Sequence, residues 1–442
     1  MDHGLTAELA SLATEHGAAG FGVTGVEPFA REREALHTRI ESGLAGPLRF
    51  TYDDPDLSTD VIGSFPWARS LVVVSWDYLP AARSPAKEGA VVGRFATSDH
   101  YQGVSTVTDA VAGHLRGLGH RAEILSDDNR LVDRAAAVRA GLGWSGKSTM
   151  VLAPGHGPWM LLGSVVTDVA LIPGEPMRRD CGTCVACIPA CPTGALGDWG
   201  LDARRCLSTW LQTAGSIPQW IRPLLGRRVY GCDDCLTACP PGKRALAGAD
   251  RDPMNLPFAE LLALSDADLI ERFNWWYVPR RQGRFIRRNL LVAAGNSAES
   301  GAREEIERHL RHPSSMIRGH AYWAMARGFS AGKSLRAALE NETVPEAHEE
   351  LVLALLMVEH PEAHAEMLAA DEWARTHPVR GLALVGPHAS AEGSASDDLR
   401  LLYLDSHIDD GDLEEPMVRI YDPDRTLERL SRDSRLRASA PN

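Results

Sequence analysis

"CGTCVACIPACP" at 181–192 and "YGCDDCLTACP" at 230–240 contain seven of the chain's eight cysteines in two closely related patterns. The first stretch is a complete C-x2-C-x2-C-x3-C-P run, the pattern that holds iron–sulfur clusters in bacterial ferredoxins. The second has the same spacing, but Val229 stands where its first cysteine is expected. In two-cluster ferredoxins the fourth cysteine of each run binds the cluster of the other run. The two stretches therefore predict a ferredoxin-like domain with two clusters, one ligand short.

Cys206, in "DARRCLSTW", is the cysteine left to fill the position that Val229 leaves vacant. Two 4Fe–4S clusters need eight thiolates, and the seven cysteines of the two runs together with Cys206 supply eight. Zinc is the alternative, because CxxC pairs also bind Zn²⁺, but a zinc ribbon does not need the complete run followed by proline. We assign the cysteines to two sets of ligands, the first set being Cys181, Cys184, Cys187 and Cys239, and the second set Cys191, Cys206, Cys232 and Cys235.

The composition is that of a soluble globular protein of two or three domains, with 442 residues, 44% hydrophobic and 24% charged. We find no run of about 18 apolar residues and no signal-peptide pattern at the N-terminus, so we expect a cytoplasmic protein without a membrane span. Cysteines confined to one segment of a chain in a reducing compartment favour metal or redox chemistry over disulfides. Since clusters only pass single electrons, the substrate chemistry should involve the N-terminal part.

The charge is distributed unevenly along the chain. The net charge of −13 argues against a nucleic-acid partner. Residues 178–290, however, contain 16 Lys and Arg against 11 Asp and Glu, a net +5, so the remainder carries −18. Within that segment "FNWWY" (273–277) precedes "RRQGRFIRR" (280–288), and arginines beside aromatic residues suit phosphate contact and base stacking. Arg280, Arg281 and Arg284 are therefore candidate nucleic-acid contacts; the alternative is a basic face that pairs with the acidic remainder.

The chain divides into four predicted segments. Residues 1–175 should form an α/β domain, because β-like runs at 21–26, 70–76 and 161–172 alternate with helical spacing at 105–119 and 129–143. Residues 176–250 should form the cluster domain. In residues 251–390, apolar segments beginning at Arg287, Arg318, Glu349 and Arg380 recur every 31 residues, which predicts HEAT-like helix pairs or, alternatively, a plain helical bundle. Residues 391–442 should be an acidic, partly disordered tail.

The stretch "GLGWSGKS" (141–148) satisfies the P-loop pattern G-x-x-x-x-G-K-S/T. A P-loop needs a strand before it and a helix after it, whereas here the preceding residues are helical and the following residues are strand-like. We therefore reject an ATP site. The glycine-rich loop, with Trp144 and Lys147, is still suited to line a pocket for another large cofactor.

Asp127 and Asp128 lie just before the second predicted helix. Their spacing favours a helix-capping role, because an aspartate there can accept hydrogen bonds from unpaired N–H groups. A proton donor is the alternative, since a desolvated carboxyl has a raised pKa.

Taken together, these residues resemble the epoxyqueuosine reductase family, which carries out the last step of queuosine synthesis in tRNA. The resemblance spans roughly residues 5–330 and is strongest in "VDRAAAVRAGLGWSGKST", "LLGSVVTD", the two cysteine runs with the isolated Cys206, and "RFIRRNLLVAAGN". It implies a nitroreductase-like α/β domain that binds cobalamin, two 4Fe–4S clusters, and HEAT-like helices that help to hold tRNA. The family's "DxGPLVDR" matches "DDNRLVDR" here, which assigns the proton donor to Asp127 and overrides the capping interpretation. Candidate cobalamin contacts are Arg94, Arg134, Trp144, Lys147 and Ser148.

Two departures from the family pattern fall in the implied active site. Asn129 and Arg130 replace a Gly-Pro, and "RFATSDHY" (94–101) shortens the family's "RYAxGxDYH" and swaps the order of His100 and Tyr101. The expected activity is reduction of epoxyqueuosine in tRNA by a monomer that takes electrons from a donor such as ferredoxin or flavodoxin. The alternatives are a reductase of a small molecule, of the reductive-dehalogenase kind, and a non-enzymatic electron carrier.

Overall fold

The computed structural model describes residues 2–198, 200–247, 249, 253–362, 364–365 and 368–369, together with two strands at 379–385 and 400–405. The chain forms two compact units, Met1–Gly215 with Arg227–Leu290, and Ser216–Gly226 with Leu291–Asn442. The segment with the predicted cofactor loop and both cysteine runs thus belongs to the first unit. Among the described residues no helix combines the length and the apolar character that crossing a bilayer requires.

A four-stranded antiparallel sheet is the centre of the first unit. Its strands, in spatial order, are Gly20–Thr24, Ser70–Asp77, Met160–Thr167 and Ala122–Leu125. Three of them coincide with the β-like runs of the sequence, and the helices Tyr101–Gly117 and Asp133–Arg139 lie where helical spacing predicted them.

Both faces of this sheet are covered, which explains the unbroken apolar run at 71–74. Because successive strand residues point to opposite faces, Val72 and Val74 pack into one core and Leu71 and Val73 into another. The first core lies under the helices His3–Glu15 and Tyr101–Gly117, and the second under Asp133–Arg139. A strand buried on both faces is continuously hydrophobic.

The cysteine segment is joined to the sheet domain by short strand pairs. Val91–Val92 pairs in parallel with Arg228–Tyr230, and Ser84–Pro85 pairs with Pro253–Met254. The other two-residue pairs are Trp144–Ser145 with Val151–Leu152, and Leu196–Gly197 with Gly200–Leu201. The remaining helices of this unit are Ala30–Glu41, Pro55–Thr59, Val61–Ser64, Leu207–Gln212, Asp234–Ala238, Pro240–Leu246, Phe258–Ala263 and Asp266–Arg272, with 3-10 turns at Phe50–Tyr52, Arg94–Ala96 and Pro279–Arg281.

Helices make up most of the part of the second unit that the structure describes. The segments that begin at Arg287, Arg318 and Glu349 lie in helices Arg284–Ser297, Ser315–Phe329 and Pro345–Glu359, as predicted. The fourth prediction was wrong: the segment that begins at Arg380 lies in strand Val379–Val385, which pairs with Arg400–Asp405. A short apolar run flanked by glycine does not distinguish a strand from a helix by periodicity. The other elements are the helices Arg222–Leu225, Arg303–His309 and Gly332–Leu339 and the 3-10 turn Ser300–Ala302.

The predicted tail at 391–442 lies outside the described residues, apart from strand Arg400–Asp405. The predicted domain boundaries and the HEAT-like stacking stay predictions.

Candidate active site

The first set of cysteines is brought together by the turns at 181–191 and the start of helix Pro240–Leu246. Burial raises the pKa of the Cys187 thiol, and the neighbouring thiolates of Cys239, Cys181 and Cys184 raise it further. The pKa of Cys239 is raised by burial and then by Cys181 and Cys184. The electrostatic neighbours of both residues therefore belong to their own set.

The second set is collected from three separate stretches of the cysteine segment. Burial raises the pKa of Cys206, with a contribution from the thiolate of Cys191. Burial raises the pKa of Cys232 to about 12, and the charges of Asp234 and Cys206 add to the effect. The pKa of Cys235 is raised by burial and then by Cys232, Cys206 and Cys191. Cys206 thus lies among the second set; the ligand assignment itself stays a prediction.

The chemistry of both sets suits clusters better than single ions. Burial raises the pKa of five of these thiols, so their thiolate state needs a strong positive charge, which the iron ions of a cluster would supply; the five are Cys187, Cys206, Cys232, Cys235 and Cys239. Thiolates around one Zn²⁺ at about 2.3 Å lie only about 4 Å apart. Among the described side chains, which include all eight cysteines, no group of three or more Cys, His, Asp or Glu is arranged to hold a single metal ion.

The glycine-rich loop contacts the first set. The backbone N–H of Lys147 donates to Cys181 Sγ at 3.4 Å, and Trp144 packs in one apolar cluster with Cys239 and Leu152. The second set receives a comparable bond from Ala195 N–H to Cys191 Sγ at 3.2 Å. Since hydrogen bonds to cluster sulfurs tune reduction potential, the loop has a function that sequence reasoning missed. The helix before the loop and the strand after it confirm that this is no P-loop.

Three of the predicted cobalamin contacts lie on this loop. Trp144 Nε1 and Ser148 Oγ are buried without a hydrogen-bond partner among the described residues. The Lys147 ammonium, by contrast, lies 3.2 Å from Asp198 Oδ1. Two polar groups that have lost water and found no protein partner are suited to a polar ligand.

The other two predicted contacts have different surroundings. Arg94 donates its backbone N–H to Asp233 Oδ2 at 2.7 Å, while its buried Nη1 has no partner among the described residues. His100 is buried, burial lowers its pKa, and its Nε2 is likewise without a partner there. Arg134 is exposed, and its Nη1 donates to the carbonyl of Thr149 at 2.9 Å. The sequence drew attention to His100 only because its order relative to Tyr101 differs from the family's pattern, and it did not predict a cofactor contact there.

Asp127 lies in the loop that connects strand Ala122–Leu125 with helix Asp133–Arg139. Its φ of +51° is in the left-handed region, which is uncommon for a residue other than glycine. The hydroxyl of Tyr101 donates to Asp127 Oδ2 at 2.5 Å, and burial, followed by the charge of Asp127, raises the pKa of Tyr101. The structure therefore gives the predicted acid a tyrosine partner.

The neighbouring carboxyl of Asp128 has a different environment. Arg130 donates to it from two nitrogens, at 2.9 and 2.6 Å, and these hydrogen bonds lower the pKa of Asp128. Arg130 also lies over the ring of Phe65, at 5.0 Å from the centroid, and Ser58 Oγ donates to the carbonyl of Asn129. Asp128 is thereby held as a carboxylate and is unsuited to donate a proton.

The predicted nucleic-acid arginines occupy a turn and the start of the next helix. Arg280 and Arg281 are exposed, each with a φ of +52°, and Arg281 Nη1 donates to the carbonyls of Asn274 and Trp276. Arg284 is half-buried, and its Nε has no partner among the described residues. Arg287 and Arg288 are buried and lie in the helix Arg284–Ser297.

Known proteins match both the cysteine segment and most of the chain. Residues 180–242 match the sequence family described as a 4Fe-4S double cluster binding domain. The chain is 31% identical over 362 residues to the epoxyqueuosine reductase of Alicycliphilus denitrificans, a match covering 73% of this chain and 98% of that protein. It is 30% identical over 368 residues to that of Bacillus subtilis, covering 78% and 94%. The chain belongs to the epoxyqueuosine reductase family.

Solved structures of the family have the same fold. A crystal structure of epoxyqueuosine reductase with an epoxyqueuosine-modified tRNA-Tyr stem loop matches with a TM-score of 0.73 and 29% identity, covering 80% of this chain and 99% of that one. The structure from Bacillus subtilis, with its aspartate-bearing catalytic loop swung out of the active site, matches with a TM-score of 0.69 and 28% identity, covering 79% and 98%. The chain is thus similar to these reductases over nearly their whole length.

Proposed function

We propose that this chain reduces epoxyqueuosine to queuosine in tRNA, as an oxidoreductase that uses two 4Fe–4S clusters and cobalamin. The observation that carries the proposal is the joint presence, in a chain of this family, of two sets of four cysteines and an aspartate–tyrosine pair. Neither an electron carrier nor a plain ferredoxin needs the aspartate–tyrosine pair.

The reaction removes the epoxide oxygen as water, which consumes two electrons and two protons and leaves a carbon–carbon double bond. The first and second sets of cysteines hold the clusters that carry the electrons, one at a time. Asp127 protonates the departing oxygen, and the hydroxyl of Tyr101 orients its carboxyl through the 2.5 Å hydrogen bond. The left-handed backbone at Asp127 suits a loop that has to bring its acid to the substrate and withdraw it.

Cobalamin, when bound, would supply the low-valent cobalt chemistry that reduction of the substrate carbon needs. The residues suited to hold it have buried polar atoms without protein partners among the described residues, namely Arg94 Nη1, His100 Nε2, Trp144 Nε1 and Ser148 Oγ. Burial of unpaired donors is costly unless a ligand accepts from them. The Lys147 ammonium forms an ion pair with Asp198, and its backbone N–H donates to Cys181. We therefore assign Lys147 two roles, stabilising the conformation of the loop and contributing to the cofactor site.

The tRNA would be bound by positive charge concentrated after the cluster segment. Arg280 and Arg281 are exposed in one turn, and half-buried Arg284 begins the helix that follows. Arg287 and Arg288 are buried in the protein interior. Exposed Phe50 and Tyr277 form an edge-to-face pair next to this turn, with ring centroids 5.2 Å apart. Arginine with exposed aromatic rings suits an RNA loop with unstacked bases.

The remaining parts of the proposal follow the family. We propose a nitroreductase-like cobalamin domain at 1–175, a cluster domain at 176–250 and HEAT-like helices after it, acting as a cytoplasmic monomer. An external ferredoxin or flavodoxin supplies the electrons.

The test is anaerobic incubation of the reconstituted protein with cobalamin, a reductant and tRNA that contains epoxyqueuosine. Mass spectrometry of the nucleosides should show loss of one oxygen atom from the modified base. No conversion by protein with full iron and corrinoid content would contradict the proposal and favour a small-molecule substrate. Asn129 and Arg130 make that alternative worth testing, since they replace the Gly-Pro expected beside the acid.

A further inference from the structure

The first set of cysteines reaches the protein surface at Cys184. Cys184 is the exposed member of the eight cysteines, all of which the structure describes, and the others are half-buried or buried. Val185, directly after it, is 47% exposed. A turn in which the N–H of Cys184 donates to the carbonyl of Cys181 at 2.9 Å holds this part of the chain. The ligand loop of the first set therefore presents a thiol and an apolar side chain to solvent.

The second set, by contrast, adjoins the candidate cofactor site. Cys235 packs with Phe95 in one apolar cluster, and the carboxylate of Asp233, between Cys232 and Cys235, accepts the backbone N–H of Arg94 at 2.7 Å. Arg94 is one of the candidate cofactor contacts with a buried, unpartnered nitrogen among the described residues. The second set thus lies next to that contact, and the first set has the ligand that another protein can approach from outside.

Two arginines come just before the exposed ligand loop. Arg178 and Arg179 are both exposed. The guanidinium of Arg179 lies over the ring of Trp144, at 5.1 Å from the centroid, and Trp144 packs with Cys239 in one apolar cluster. Since Cys239 belongs to the first set, this contact fixes the arginine pair beside that set.

Two further basic residues follow the last cysteine of the first set. Lys243 and Arg244 are exposed on the helix Pro240–Leu246, which begins directly after Cys239, and the N–H of Lys243 donates to the carbonyl of Cys239 at 2.7 Å. The segments 176–185 and 239–247 contain one acidic residue, Asp180, against the four basic ones. The surroundings of the exposed cysteine are therefore positively charged.

We propose that this surface docks a small electron-carrier protein whose exposed redox group is ringed by carboxylates. The surface, called the entry face below, consists of Cys184 and its neighbours Arg178, Arg179, Val185, Lys243 and Arg244. The inference rests on the proposed function, which consumes two electrons in each turnover. Each docking oxidises one reduced carrier by one electron, which the cluster of the first set accepts, so two dockings supply one turnover.

Charge complementarity is the argument for this partner. The whole chain carries a net charge of −13, so an acidic carrier is repelled at long range unless it approaches a locally basic face. Encounters between electron-transfer proteins are small and weak, so a few charges at the rim of an apolar contact are enough to orient them. The phosphates of RNA would also be attracted by these basic side chains, but RNA gains nothing from an exposed cluster ligand.

The test uses an acidic flavodoxin as the carrier and needs no tRNA. Reduced flavodoxin is mixed anaerobically with the oxidised holoprotein, and its oxidation is followed by stopped-flow absorption at several salt concentrations. Replacing Arg178, Lys243 and Arg244 with glutamine should slow the second-order rate at least about tenfold at low salt. The difference should shrink as salt rises, because screening weakens the attraction. Arg179 is left unchanged, because it stacks on Trp144 in the candidate cofactor loop.

Two controls separate docking from damage to the protein. The triple variant should keep the iron content of the parent, and it should reduce epoxyqueuosine tRNA at the parent's rate when titanium(III) citrate replaces the carrier. The matched control replaces Arg280, Arg281 and Arg284 with glutamine, which removes the same number of positive charges and should leave the flavodoxin rate unchanged. If the first triple variant loses iron, the single variants Arg178→Gln and Lys243→Gln decide the matter, because each should show part of the loss of rate.

The possible results distinguish the entry face from the proposed function. An unchanged flavodoxin rate in the entry-face variant, an equal loss in the control variant, or a parent that flavodoxin does not reduce would overturn the entry face. Weaker tRNA binding by the entry-face variant, with its flavodoxin rate retained, would assign the surface to RNA instead. A parent that accepts electrons through this surface but converts no epoxyqueuosine would remove the proposed function and leave the entry face standing.

Discussion

Replacing Cys206 with alanine tests the most specific statement about the clusters, namely that this isolated residue completes the second set. Cys206 directly precedes the helix Leu207–Gln212, whose residues Leu207 and Leu211 are buried. Trp210 Nε1 also donates to the carbonyl of Arg204 at 2.7 Å, so the local backbone has supports other than the thiol. We therefore expect Cys206→Ala to fold and to lose one ligand of one cluster.

The expected magnitude follows from the separation of the two sets. The thiol of Cys206 is influenced by Cys191 and in turn influences Cys232 and Cys235, which are all members of the second set. Iron should fall from about eight to about four per chain, and acid-labile sulfide with it, because each cubane contains four of each. Turnover should fall to background, because one of the two clusters that pass electrons to the substrate would be missing.

The assay is iron, sulfide and absorption per chain after anaerobic reconstitution. Ser208→Ala, in the same helix, is the matched control and should keep about eight iron per chain. Cys184→Ala should remove the other cluster, and the double variant should bind almost no iron. About eight iron in Cys206→Ala would refute the ligand assignment.

Three further predictions concern the acid, the tRNA surface and stability. Asp127→Asn should keep its clusters and corrinoid while turnover falls roughly 10²-fold or more, the usual scale for a general acid, and full activity would assign the proton to water. Replacing Arg280, Arg281 and Arg284 with alanine should weaken tRNA binding and reduce its salt dependence by about two to three released counterions. Filter binding at several salt concentrations measures this, with the exposed Arg31→Ala as the control. An unchanged slope of affinity against salt concentration would contradict the proposed tRNA surface. Asp133→Asn should raise the melting temperature above that of the parent, and the difference should grow between pH 5 and pH 8. The reason is that a carboxyl whose pKa is raised to about 8 destabilises the folded state progressively as pH rises above the pKa of the unfolded chain. A difference that stays constant with pH would show that Asp133 is ionised throughout.

The cysteine spacing predicted much of the cluster domain because ligand geometry restricts the sequence directly. A cluster needs thiolates at fixed separations, so a missing cysteine at 229 has to be replaced by another, and Cys206 was available. The buried sheet was predictable for a similar reason, since a strand covered on both faces has a continuous apolar run. The segment at 379–385 shows the limit of that reasoning, because a short apolar run fits a strand and a helix equally well.

The environment of the acids could not be predicted from sequence, because it depends on residues that are distant in the chain. Tyr101 reaches Asp127 from another helix, and the unpartnered oxygen of Asp133 results from packing. The pairing of Arg130 with Asp128 is local, and a basic residue two positions after an aspartate was an available signal.

The three aspartates of "DDNRLVD" show how one loop separates the tasks of proton chemistry. Asp128 is fixed as a carboxylate by two hydrogen bonds from Arg130 and therefore holds charge but no proton. Burial and the charge of Asp127 raise the pKa of Asp133 to about 8, so Asp133 is held protonated at neutral pH. Asp127 is the exposed one of the three and has a tyrosine hydroxyl on its carboxyl, so it is the one placed to meet a substrate. Neighbouring carboxyls whose surroundings favour different protonation states are the arrangement that acid catalysis near neutral pH requires. If Arg130→Ala released Asp128 without altering the pH profile of turnover, this separation of tasks would not be needed for the reaction.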